Sequence, residues 1–107
     1  MYYNFGRTSF SNFVWINGGA TFFEPGTLNI EMTTPGEFGV EVFTPDGDLA
    51  GRADRPNRHG GWSSFYFSSG YEFSPGPGLR SGHYKIRIVN RSPRKKFLKQ
   101  GDLEYSI

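Results

Sequence analysis

At 107 residues, with 36% hydrophobic and 18% aromatic side chains, the chain is long enough for one two-layer core and too short for two. Fifteen glycines and seven prolines disfavour helix, and the absence of cysteine excludes disulfides, thiolate metal sites and a cysteine nucleophile. The formal net charge of +2 hides an asymmetry. Residues 1–53 hold two basic and six acidic side chains, whereas residues 54–107 hold ten basic and four acidic, which can make neighbouring strands complementary across a sheet.

Residues 2–16 are rich in aromatics and broken by Gly6 and polar side chains, predicting an edge segment and then a strand near Phe13–Ile16, with Gly18-Gly19 as a turn. A strand over Thr21–Glu24 ends at Pro25-Gly26. Leu28, Ile30 and Met32 then alternate with polar residues, as do Phe38, Val40 and Val42, around Thr34-Pro35-Gly36-Glu37. Period two on both sides of a type II turn sequence predicts an antiparallel hairpin with six apolar side chains on one face. At about 1.5–3 kcal/mol for each buried side chain, that face must be covered by a second layer.

Thr44-Pro45-Asp46-Gly47 fits a type I turn leading to a short strand over Asp48–Arg52. Ala53 to Gly61 lacks a large apolar residue and reads as an exposed loop. Trp62–Phe67 reads as a strand in which consecutive Phe65, Tyr66 and Phe67 face both ways, and Ser74–Gly78 is a long turn. Tyr84, Ile86 and Ile88 alternate within a strand over His83–Val89, a basic loop covers Arg91–Lys99, and Leu103, Tyr105 and Ile107 mark a terminal strand. About seven to nine short strands without substantial helix predict a single all-β domain over 1–107, an antiparallel, jelly-roll-like β-sandwich.

Three segments, Phe23–Ile30, Phe38–Gly47 and Ser81–Asn90, resemble the bacterial pre-peptidase C-terminal type of domain, a small jelly-roll sandwich appended to secreted hydrolases. The resemblance implies a non-catalytic module that binds polymers. The acidic cluster that carries calcium in some members is not evident before Glu24, so calcium is not implied.

Trp62, Phe65, Tyr66 and Tyr71 lie among serines and glycines that would leave ring faces open to stack on sugars. The alternative is that Trp62 and one of Phe65 or Phe67 fill the core. Lys85 and Arg87, with Arg94 and Lys96 in the basic stretch, suit an acidic polysaccharide or phosphates, or else serve as solvated charges that protect an edge. The small net charge and the acidic first half speak against nucleic acid.

His59 and His83 occur without a G-x-S-x-G elbow or an H-E-x-x-H pair, and Asp46-Gly47-Asp48 is a turn rather than a metal loop. Asn90-Arg91-Ser92 matches a glycosylation sequon that Pro93 disfavours. No catalytic residue, metal or cofactor is implied. Eighteen consecutive apolar residues occur nowhere, and Met1–Phe5 lacks the features of a signal peptide. The expectation is a secreted or cell-surface module that binds a polymer, most naturally carbohydrate, through the aromatics and the basic loop, with synthesis in the cytoplasm left open. The alternative is a structural or assembly sandwich whose aromatic surface meets a protein, its oligomeric state open.

Overall fold

The alternation of apolar and polar residues becomes ten strands in the computed structural model, which describes residues 1–67, 73–74 and 79–106. They are β1 (Tyr2–Phe5), β2 (Thr8–Phe10), β3 (Phe13–Trp15), β4 (Phe22–Phe23), β5 (Thr27–Met32), β6 (Phe38–Phe43), β7 (Leu49–Arg55), β8 (Gly61–Tyr66), β9 (His83–Asn90) and β10 (Lys96–Glu104). A 3₁₀ turn at Ile16–Gly19 is the one helical element among the described residues. The count exceeds the expected seven to nine because the N-terminal segment is divided into several strands of two to four residues.

All strand pairs are antiparallel and form two sheets. The first has the order β1-β10-β5-β8, with β2 also on β10; the second has the order β3-β9-β6-β7, with β4 also on β9. Between them Leu28, Ile30, Met32, Phe38, Val40, Val42, Phe65, Phe67, Ile86, Ile88 and Leu103 are sealed from solvent. The chain is an all-β antiparallel sandwich, as its alternation predicts.

The expected hairpin over Leu28–Phe43 does not form. β5 lies between β10 and β8, and β6 between β7 and β9, so the two runs belong to opposite sheets. Their six apolar side chains all reach the core, and each strand supplies the cover that the other needs. The link across the sandwich is held from its flanks. Gly36 takes a φ of 117°, and its N–H donates to Asn57 O at 3.0 Å. Asn57 Nδ2 donates to Thr34 O and Gly36 O, while Lys96 Nζ donates to Pro35 O at 2.9 Å and also to Gly36 O.

Three further boundaries differ. β7 continues through Ala53 to Arg55 because it pairs along β6, and Ala53 and Asn57 are buried within what reads as an exposed loop. β10 begins at Lys96 inside the expected basic loop and ends at Glu104, earlier than the expected terminal strand. Lys96 enters the interior as a carbonyl-binding post, and burial lowers its pKa. Of the long turn at Ser74–Gly78, residues 75–78 lie outside the described residues, as do Tyr71 and Ile107.

Candidate functional site

Each sheet turns one face to solvent, and the two faces are chemically unlike. On the first sheet, register aligns Trp62 with Glu31 and Gln100, Ser64 with Asn29, Asp102 and Asn4, and Tyr66 with Thr27. These residues alternate with the buried Leu28, Ile30, Phe65 and Leu103, so they point outward. Ser64 Oγ donates to Asn29 Oδ1 at 2.6 Å, Asn29 Nδ2 donates to Asp102 Oδ1 at 2.9 Å, and Gln100 Nε2 donates to Glu31 Oε1 at 2.8 Å. Trp62 is 55% exposed and Tyr66 49%. On the β1 side Tyr2 is also exposed, its hydroxyl donating to Glu104 at 3.4 Å. A hydrogen-bonded polar centre thus lies between exposed rings.

On the second sheet, Trp15 is in register with Arg87, Arg87 with Glu41, and Glu41 with Arg52. The Arg87 guanidinium lies 4.4 Å from the Phe13 ring centre, 4.7 Å from Phe43 and 5.4 Å from Trp15. It also pairs with Glu41 at 2.6 Å; Arg91 binds the other Glu41 oxygen at 2.8 Å and Asp54 at 3.2 Å, and Arg52 closes on Asp54. Burial alone would raise the Glu41 pKa, but hydrogen bonds from Arg87 and Arg91, and their charges, hold it below its ordinary value. Burial opposes the charge of Arg91, and bonds to Glu41 and Asp54 overcome it, so its pKa is raised.

Beside this network a cleft of about 420 Å³ is lined by Trp15, Gly18, Gly19, Phe43, Gly47, Lys85 and Arg87. Phe13 and Leu49 stand exposed at its margins, Leu49 in register with Phe43.

The expected binding residues are therefore split. Trp62 and Tyr66 lie on the first sheet, and Lys85 and Arg87 on the outer face of the second, with the sandwich between them. Packed sheets are about 10 Å apart, so these groups cannot line one site. Phe65 is fully buried, because β8 turns its odd-numbered Phe inward against Phe38 and Phe73, and it is corrected to core. Lys96 is likewise removed from any ligand set, since its ammonium is spent on the Pro35-Gly36 link. Arg94 is exposed between β9 and β10, and Tyr71 lies outside the described residues. His83 packs on Phe23 at 4.8 Å, and His59 is exposed between β7 and β8. No group of three or more metal-ligating side chains converges among the described residues.

Sequence reading missed Phe13, Trp15 and Phe43 as partners of Arg87, and Asn29 and Asp102 as the centre of the first face. One signal was present. Glu41 lies between core-facing Val40 and Val42, a position that calls for cations on the neighbouring strands.

Two FlgD structures share this architecture. FlgD from Xanthomonas campestris, whose structure bears on the hook capping essential for flagellar assembly, matches with a TM-score of 0.54 at 19% identity, over 91% of this chain and 69% of that one. FlgD from P. aeruginosa matches with a TM-score of 0.54 at 15% identity, over 94% of this chain and 75% of that one. At these identities the likeness concerns the fold, a β-sandwich. No family model matches the chain, and no curated protein matches its sequence. No helix among the described residues is long and apolar enough to cross a membrane.

Proposed function

We propose that this chain is a non-catalytic assembly module that seats a protein partner on the outer face of its second sheet. The observation that carries the reading is the aromatic cleft around Arg87. Trp15 and Phe43 wall it, Lys85 lines it, and the exposed Phe13, packed on Trp15, and Leu49, in register with Phe43, extend its apolar surface. An exposed apolar group rimmed by charge is the usual mark of a protein contact. Arg52, Arg87 and Arg91 share two carboxylates, Glu41 and Asp54, and Lys85 lines the cleft beside Arg87, which favours a partner surface that is apolar and acidic. The sandwich shared with FlgD, a protein connected with flagellar assembly, supports the same class.

Photo-crosslinkers placed at Phe13, Leu49 and Trp62 test this in cells. Capture of one defined protein, or of a second copy, from Phe13 and Leu49 but not from Trp62 is expected, with loss of capture in Lys85→Glu. Capture from Trp62 alone would overturn it.

A second reading, carbohydrate binding, is favoured by a separate observation: Trp62, Tyr66 and Tyr2 are exposed around the Ser64-Asn29-Asp102 row. Rings for stacking and fixed donors and acceptors for hydroxyls occur there together. Tryptophan fluorescence titrated against a glycan panel tests it, and a response unchanged by Trp62→Ala would reject it.

A further inference from the structure

We infer that the outer face of the first sheet takes an uncharged polysaccharide and discriminates against anionic ones; this rests on the carbohydrate reading of that face. Trp62 and Tyr66 are four residues apart on one strand, about 13 Å at the usual rise. Tyr66 and Tyr2 are three strand spacings apart in the order β8-β5-β10-β1, or about 14 Å. These distances outline a platform for several sugar rings rather than a pocket for one. The polar groups between them are already ordered by their own hydrogen bonds, so little side-chain freedom is lost when a hydroxyl replaces water.

The charge on this platform sets the ligand class. Glu31, Asp102 and Glu104 are the outward carboxylates of β5 and β10, in register with Trp62, with Ser64 and Asn4, and with Tyr2 respectively. The hydrogen bonds described above engage one oxygen of each and leave the other to accept from a sugar hydroxyl. Lys99, exposed on β10 beside Gln100, is outnumbered by the three carboxylates. Lys99 and Arg7 line a separate groove with Phe97, Thr8 and Thr33, and Arg55 packs 4.2 Å from the buried Phe65 ring while donating to Ser64 O. Three carboxylates repel a polymer that carries its own carboxylates, while they accept hydrogen bonds from the hydroxyls of a neutral one. Lys85 and Arg87, which suit an acidic polysaccharide in the sequence, are on the other side of the sandwich.

Affinity electrophoresis of the whole chain at low salt, in gels containing hydroxyethyl cellulose, β-glucan or xyloglucan, and in parallel carboxymethyl cellulose or polygalacturonate, tests this. Retardation by at least one neutral polymer is expected, and none that depends on Trp62 by the anionic ones. Trp62→Ala, exposed and dispensable to the core, should lose the retardation, and Asp46→Asn, exposed in the turn between β6 and β7 of the opposite sheet, should keep it. Glu31→Gln combined with Asp102→Asn should newly admit carboxymethyl cellulose. Retardation by the anionic polymers as strong as by the neutral ones, still dependent on Trp62, would overturn the charge discrimination and keep carbohydrate binding. No retardation by any of them would overturn both.

Discussion

The pair Arg87–Glu41, with N and O 2.6 Å apart, anchors the network on the second sheet, and its removal has a calculable consequence. Arg87→Met keeps an unbranched stem against Phe13, Trp15 and Phe43 but loses two charge-assisted bonds to Glu41. Such bonds contribute about 1.5–3 kcal/mol, and the lower half applies because a quarter of the Arg87 side chain remains in water. Loss of the cation over the rings adds about 0.5–1 kcal/mol. The variant should therefore be about 2–3 kcal/mol less stable in urea unfolding followed by tryptophan fluorescence. A double-mutant cycle with Glu41→Gln should give a coupling of about 1–2 kcal/mol at neutral pH.

That coupling should depend on pH in one direction. The folded pKa of Glu41 is depressed, so its contribution is complete above the unfolded carboxylate pKa and is lost as pH falls through the folded one. A coupling below about 0.5 kcal/mol at neutral pH, or one that stays constant on acidification, would refute the account of this face as a network held by one shared carboxylate.

Other variants probe the packing. Phe65→Ala should cost about 3–5 kcal/mol while Trp62→Ala stays within about 0.5 kcal/mol, a contrast that thermal melts can read directly. Gly101→Ala would drive a methyl group into the Phe5 ring and to 2.7 Å from the backbone oxygen of Asn29; a loss of about 1–3 kcal/mol is expected, and an unchanged melting temperature would show that β1 is not packed as described. Burial lowers the Lys96 pKa, so the unfolded chain binds more protons between the folded and the ordinary lysine pKa. Stability should rise with pH across that alkaline window in the wild type, and this slope should disappear in Lys96→Met.

The sandwich itself was legible because alternation at Leu28–Met32, Phe38–Val42 and Tyr84–Ile88 reports which side of a strand is apolar. Which sheet a strand joins was not. Pro35-Gly36 permits either a hairpin or a crossing link, and the choice depends on β8, β9 and β10 arriving from distant sequence. The same limit explains Lys96, which reads as one more charge in a basic run until the carbonyls of Pro35 and Gly36 are brought beside it. The placement of the candidate residues was half legible. Small neighbours marked Trp62 and Tyr66 as exposed, but composition cannot tell that Lys85 and Arg87 face away from them, because that follows from sheet membership alone.

The pairing of the N-terminal strands carries a consequence for biosynthesis. β1 and β2 have β10 as their ladder partner, and β3 and β4 have β9. Until residues 83–104 leave the ribosome, the first twenty-three residues therefore have no edge to dock on, and they include Tyr2, Tyr3, Phe5, Phe10, Phe13, Trp15, Phe22 and Phe23. A greasy segment therefore stays unprotected from its own synthesis until β9 and β10 emerge. Efficient production should accordingly respond to holdase chaperones and to slower elongation, both of which act during that interval.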